Sequence, residues 1–201
     1  MISASEALER LRDGNGRFLS GHSNNDESLS AVKRAQLVDG QSPFAVILAC
    51  SDSRVPVELV FDQGLGDLFV IRVAGNIVAP SQVSSVEFAA AQLGTRLVVV
   101  LGHSNCGAVE ATLKELRREQ AHRSPNLRAI VDRIRPAVEP LLERNGDISL
   151  NDAVTANVRQ SVDRLRHGSR ILEDLVATDK LTIVGAEYSI QSGKVEFLGS
   201  P

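Results

Sequence analysis

The chain has 201 residues, 43% of them apolar and 23% charged, with two cysteines and no tryptophan, which suits one domain with a substantial core. A net charge of -3 and a pI near 5.8 argue against a nucleic-acid partner, because a phosphate backbone demands a basic face. No apolar run approaches a membrane span, and Met1-Ile2-Ser3-Ala4-Ser5-Glu6 lacks the basic and apolar segments of a secretion signal, so a cytoplasmic protein is expected.

In chain order, residues 4–19 read as an amphipathic helix, capped by Ser3 or Ser5, with Ala7, Leu8, Leu11 and Phe18 on one face. A polar stretch separates it from a second short helix ending near Val38. Phe44 to Leu48 is an unbroken apolar run and predicts a strand buried on both faces. A short helix from Pro56 to Phe61 and a turn at Asp62 to Asp67 lead to a second buried strand, Leu68 to Val73. A helix from about Ser81 to Leu93 returns the chain to a third, Leu97 to Leu101.

Gly107 opens a helix marked by Val109, Leu113 and Leu116. From Leu127 to Leu142 another stripe continues, with Pro136 and Pro140 expected to kink or divide it. Val154, Val158, Val162 and Leu165 mark a longer helix, and Ile171 to Val176 a further one. Leu181 to Val184 is a fourth strand, with Val195 to Leu198 as its hairpin partner at the edge. The expected fold is α/β: a mostly parallel sheet of four to five strands flanked by helices, one domain over residues 1–201, with an amino-terminal helical arm over residues 1–40.

Two turns carry the chemistry. Ala49-Cys50-Ser51-Asp52-Ser53-Arg54 follows the first strand and Gly102-His103-Ser104-Asn105-Cys106-Gly107 the third. Open α/β sheets keep their chemistry at the carboxyl ends of such strands. Two thiolates and an imidazole suit zinc, and three protein ligands leave a fourth position for water or substrate. Two cysteines in a chain of this length are commonly inert buried thiols, and a disulfide between them is a further possibility. Their place in polar turns beside Asp52, Arg54 and His103 favours the metal. The spacing of Asp52 and Arg54 permits a bidentate pair that keeps Asp52 ionised, and the Gly107 N–H at a helix start is placed for an anion.

At these residues the sequence resembles the β-class carbonic anhydrases, whose C-x-D-x-R and H-x-x-C turns correspond to Cys50, Asp52, Arg54, His103 and Cys106. Arg72-Val73-Ala74-Gly75-Asn76 and Gly14-Asn15-Gly16-Arg17-Phe18 fit further family segments. The resemblance implies one zinc ion per chain on Cys50, His103 and Cys106. It implies reversible hydration of carbon dioxide to bicarbonate and a proton, by attack of zinc-bound hydroxide that Asp52 orients. Asp52 can also take the fourth zinc position at low pH unless Arg54 holds it away.

The resemblance further implies that Gln41 binds substrate, and that Phe69, Ala74 and Phe88 line an apolar carbon dioxide pocket, partly from a neighbouring subunit; the Gly107 N–H, at a helix start next to Cys106, is placed for the substrate's second oxygen. It also implies a homodimer or homotetramer whose amino-terminal arm lies across a partner. Ile47 stands where a bicarbonate-inhibited subgroup has tryptophan, although Arg72 and Tyr188 match the rest of that inhibitory site; the plant-like, non-inhibited subgroup is expected. The alternatives are a carbon disulfide or carbonyl sulfide hydrolase on the same fold, and a non-catalytic zinc or redox-sensing protein. His22, His122 and His167 lie in polar contexts and none is assigned to proton export.

Overall fold

The computed structural model describes residues 2–23, 30–117, 124–145 and 147–199. Five strands form one sheet: β1 (Ala45–Ala49), β2 (Leu68–Arg72), β3 (Leu97–His103), β4 (Thr182–Tyr188) and β5 (Val195–Leu198), in the spatial order β2-β1-β3-β4-β5. β2, β1, β3 and β4 are parallel, and β5 closes one edge antiparallel to β4. β1 and β3 are buried along their whole lengths, as unbroken apolar strings require in a sheet covered on both faces. β2 departs from expectation: it is the other edge strand, and Leu68, Phe69 and Val70 are only half-buried. An apolar run marks a strand without fixing its place in the sheet order.

The alternation of β1 divides the core. Ala45, Ile47 and Ala49 face the layer formed by α1 (Ala4–Ser20) and α3 (Val57–Val60), and Val46 and Leu48 face the opposite layer. That second layer contains α4 (Pro80–Glu87), a π-helical turn at Phe88–Gln92, α7 (Leu150–His167) and α8 (Arg170–Ala177). A third cluster, at the carboxyl ends of the strands, joins Cys50 and Cys106 to α5 (Gly107–Leu116), α6 (Pro125–Asn145) and α7. The helix expected over Ser81 to Leu93 is thus present, with its last part widened into the π turn.

α1 is capped by the Ser3 side chain, which accepts from the Glu6 N–H, and buries Ala7, Leu8 and Leu11 against its own chain. Asn15 fastens it. Its amide donates to the Val60 and Gly193 carbonyls at 3.0 and 2.9 Å, and its oxygen accepts from the Val195 N–H at 2.9 Å. Arg17 pairs with buried Asp62. Ala7, Leu8 and Leu11 are therefore covered within one chain, while Leu19 near the end of the helix is 47% exposed. The following helix α2 (Ala31–Gln36) buries no residue, and Val38 just beyond it is 80% exposed.

α6 runs unbroken through Pro136 and Pro140, which were expected to kink or divide it. Both prolines lie on its exposed side, where water can reach the carbonyls they leave unpaired, while Val131, Ile134 and Val138 pack inward. α7 sits close on the sheet because β3 and β4 carry glycine where it crosses. A Cβ on Gly102 would lie 2.4 Å from one Val158 methyl, and a Cβ on Gly185 2.8 Å from the other. Among the described residues no helix is long and apolar enough to cross a membrane.

Candidate metal centre

β1 and β3 are hydrogen-bonded neighbours, so their carboxyl ends bring the two cysteine turns together. Cys50 follows β1 directly, His103 is the last residue of β3, and Cys106 caps α5. Asn105, in the left-handed region at φ 55°, turns the chain between the last two. The Sγ atoms of Cys50 and Cys106 and a ring nitrogen of His103 all lie within 4.8 Å of one another, and all three side chains are buried. The cysteines are free thiols, so the disulfide alternative is not the arrangement found.

His103 is fully buried, and its Nδ1 lies 2.9 Å from the Ser104 carbonyl. A carbonyl can only accept, which assigns the proton to Nδ1 and leaves Nε2 as a free lone pair. That Nε2 is buried and has no hydrogen-bond partner, a costly state for an isolated imidazole and the normal one for a metal ligand. Two sulfurs and one such nitrogen are a zinc donor set, and the residues present fit the ion.

The charges are arranged to match. A hydrogen bond from Cys106 lowers the Cys50 pKa to about 4 against the opposing effect of burial, with further help from His103 and from the N–H groups of Gly75 and Asp52. The same sulfur–sulfur contact, with burial, pushes Cys106 upward, although it receives the Val109 and Ala108 N–H groups. The shared hydrogen bond thus lowers the pKa of one sulfur and raises that of the other. Burial is the largest influence on His103 and works against its charge, and Cys50, the Ser104 carbonyl and Asp52 together outweigh it, raising that pKa.

Asp52 and Arg54 form the bidentate pair that their spacing permits. Arg54 Nε reaches Oδ1 at 2.9 Å and Nη2 reaches Oδ2 at 2.8 Å, and the Arg54 backbone N–H adds a third bond to Oδ1 at 3.0 Å. The hydrogen bonds from the Arg54 side chain, above all, hold the Asp52 carboxyl well below the usual carboxylate range. Asp52 Oδ2 lies 3.8 Å from His103 Nε2, beside the triad. Arg54 also donates to the Asn105 carbonyl at 3.2 Å, so it ties the first turn to the second.

The structure adds a residue to which sequence reasoning gave no such part. Arg72, at the end of β2, donates through Nε to the Cys50 carbonyl at 3.1 Å and through Nη2 to the Asp52 carbonyl at 2.7 Å, fixing the turn from outside. A long donor at the carboxyl end of a strand beside the cysteine strand was the available signal, but it becomes readable only once β2 is known to neighbour β1.

The remaining expected residues divide by position. Gly107 opens α5 next to Cys106, with nothing within 4 Å of where a Cβ would stand, so the fold itself does not require glycine there. Ala74 precedes Gly75, whose N–H meets the Cys50 sulfur at 3.3 Å. Phe69 and Phe88 pack together, ring centroids 6.2 Å apart, but along the β2 edge rather than at the strand ends, with Phe88 50% exposed. Gln41 is exposed and precedes β1, so the strand separates it from Cys50 by about 16 Å within one chain. His22 and His167 are exposed, and His122 lies outside the described residues.

The comparisons with known proteins agree with this geometry. The carbonic anhydrase family model matches residues 45–195. The chain is 40% identical over 191 residues to a carbonic anhydrase of Mycolicibacterium smegmatis, covering 94% of this chain and 91% of that one. It is 38% identical over 189 residues to carbonic anhydrase 2 of Mycobacterium tuberculosis, covering 94% and 89%. Among solved structures, the β-carbonic anhydrase CcaA superposes with a TM-score of 0.76 at 26% identity, over 98% of this chain and 90% of that one. Likeness on this scale, over nearly the whole of both chains, means that the chain belongs to the β-carbonic anhydrase family.

Proposed function

We infer that the chain catalyses the reversible hydration of carbon dioxide to bicarbonate and a proton, with one zinc ion held by Cys50, His103 and Cys106. The observation that carries the reading is the unpartnered, buried Nε2 of His103 beside two free thiols, with an ionised Asp52 3.8 Å away. Zinc bound in this set supplies a Lewis acid that lowers the pKa of a coordinated water from about 15.7 toward about 7.

The protein's own part is orientation. Asp52 is ionised at neutral pH and acceptor-only, so it takes the hydrogen bond of the attacking oxygen's proton and leaves that oxygen's lone pair facing the substrate carbon. Arg54 occupies both carboxylate oxygens of Asp52 and Arg72 holds the backbone of the turn. Together they oppose a swing of Asp52 into the fourth metal position. Gly107 offers an N–H and open space for the second substrate oxygen.

Gln41 serves as a substrate donor only if a second copy brings it to the site, because its own sheet separates it from its own triad. The exposed Val38, Phe88 and Leu59 and the half-buried β2 edge supply apolar surface for such a copy, and Phe69, Ala74 and Phe88 would line the carbon dioxide path where the two meet. The assembly is a homodimer or a pair of homodimers. Bicarbonate closure is not expected: Ile47 is fully buried in the core, and Arg72 is committed to the Cys50 and Asp52 carbonyls. Free thiols fit a reducing, cytoplasmic setting.

The test combines stopped-flow hydration of carbon dioxide with metal analysis, beside a sulfide-release assay on carbon disulfide and carbonyl sulfide. About one zinc per chain with rapid hydration is expected. Rapid sulfide release without accelerated hydration would overturn the substrate, and a folded protein that neither carries zinc nor takes it up would overturn the metal centre.

A further inference from the structure

The buried stripe of α7 contains two polar residues one turn apart. Asn157 and Ser161 are 2% and 3% exposed, on the same face as Val154, Val158 and Leu165. Neither side chain bonds within its own helix. Asn157 Nδ2 donates to the Gly75 carbonyl at 2.8 Å, and Ser161 Oγ donates to the Asn76 carbonyl at 3.0 Å. Buried polar groups in an apolar helix face cost stability unless they are hydrogen-bonded, and these two find their partners on the Gly75–Asn76 turn.

What they hold is a turn that the backbone would not choose unaided. Gly75 has φ 71° and Asn76 φ 43°, two left-handed residues in succession, an uncommon pairing that glycine takes freely and asparagine tolerates better than most residues. The two peptide units at the Gly75 Cα have different duties. One presents the carbonyl that Asn157 grips, and the other presents the N–H that lies 3.3 Å from the Cys50 sulfur. The Gly75 torsions link them, so fixing the carbonyl fixes the aim of the N–H.

We propose that Asn157 and Ser161 are positioning residues for the metal centre: by holding the Gly75–Asn76 turn, they aim the Gly75 N–H at Cys50 and so set the orientation and donor strength of that thiolate toward zinc. The proposal rests on the reading of Cys50, His103 and Cys106 as zinc ligands. An N–H donated to a thiolate draws electron density from the sulfur and fixes its lone pairs, and outer partners of this kind commonly change metal affinity by about 10–100-fold.

The experiment follows zinc release from the purified holoenzyme to a chromogenic chelator, together with the thiolate-to-cobalt charge-transfer band after cobalt exchange. Asn157→Ala and Ser161→Ala are the test variants, Ser161→Thr retains the hydroxyl, and Asn15→Ala is the control that removes an equally buried polar side chain from the opposite layer. Expected are zinc affinity lower by about tenfold or more in Asn157→Ala, a smaller loss in Ser161→Ala restored by Ser161→Thr, and a shifted cobalt band in both alanine variants. Asn15→Ala should leave affinity and band unchanged.

Folded alanine variants with the parent affinity and band would overturn the proposal, as would equal losses in Asn15→Ala, which would mark general loosening. If Asn157→Ala does not fold, the Ser161 pair decides by the same readings. A parent protein that takes up neither zinc nor cobalt would instead defeat the metal-centre reading, and this proposal with it.

Discussion

Asn15→Ala tests how the amino-terminal helix is fastened. The side chain is 4% exposed and makes three hydrogen bonds, to the Val60 and Gly193 carbonyls and from the Val195 N–H. Each bond contributes a net stability of about 0.5–1.5 kcal/mol, and the buried groups left behind lose their partners. Alanine returns about 0.5–0.7 kcal/mol of helix propensity. The net loss is then about 2–4 kcal/mol. For a chain of this size each kcal/mol moves Tm by roughly 2–4 °C, so a fall of roughly 5–15 °C is expected. Calorimetry or circular dichroism at fixed protein concentration measures it, because assembly makes Tm concentration-dependent. Asn15→Asp should fare no better, since a carboxylate would face two carbonyls. A fall under about 2 °C in Asn15→Ala would refute the account of how α1 is held.

Further outcomes follow from the site and its supports. Cys106→Ala should lose zinc and activity together, whereas Asp52→Asn should keep zinc by metal analysis and lose turnover; normal hydration by Asp52→Asn would remove its orienting role. Arg54→Gln should raise the Asp52 pKa toward its ordinary value of about 3.9. Because the folded value is depressed, the charge persists at neutral pH and is lost only as pH falls, so Asp52 should take up its proton at a higher pH in the variant than in the parent, followed by carboxyl-carbon NMR. The thiol of Cys106 must give up its proton to bind metal, so zinc affinity should weaken by about tenfold or more per unit as pH is lowered from 7 to 6, measured by chelator competition. Gly102→Ala would drive a methyl into Val158 and should destabilise by about 1–3 kcal/mol in urea titration.

The sequence patterns that survived were those with a local physical cause. Apolar runs marked β1 and β3 because strands buried on both faces have no polar side to interrupt them, and the Cys50, His103 and Cys106 turns stood out because their residue types are rare and chemically matched. The failures concern neighbours. Leu68 to Val73 reads like a central strand, yet the order β2-β1-β3 puts β2 at an edge, where its apolar residues await a partner. Pro136 and Pro140 look like breaks until α6 turns both outward. Arg72, Asn157 and Ser161 act across 20 or more residues of separation through backbone carbonyls, and no spacing rule within one element reports such bonds.

The way each ligand is held explains why the centre can be formed by the fold itself. Cys50 receives the Gly75 N–H, Cys106 receives N–H groups from the first turn of α5, and His103 gives its Nδ1 proton to Ser104. The two groups that must carry negative charge meet donors, and the one that must stay neutral with a free lone pair meets an acceptor. Each partner belongs to a different support: the β2 exit, the α5 start and the β3 exit. A set of this polarity lowers the cost of gathering the two sulfurs and the imidazole before metal arrives. Zinc would then enter a preformed triad, with the Cys106 proton leaving as the metal binds. The same argument locates the vulnerable point at Gly75, because its N–H is the one ligand support that depends on a strained turn held from a distant helix, while the other two follow from the first residues after the ligands themselves.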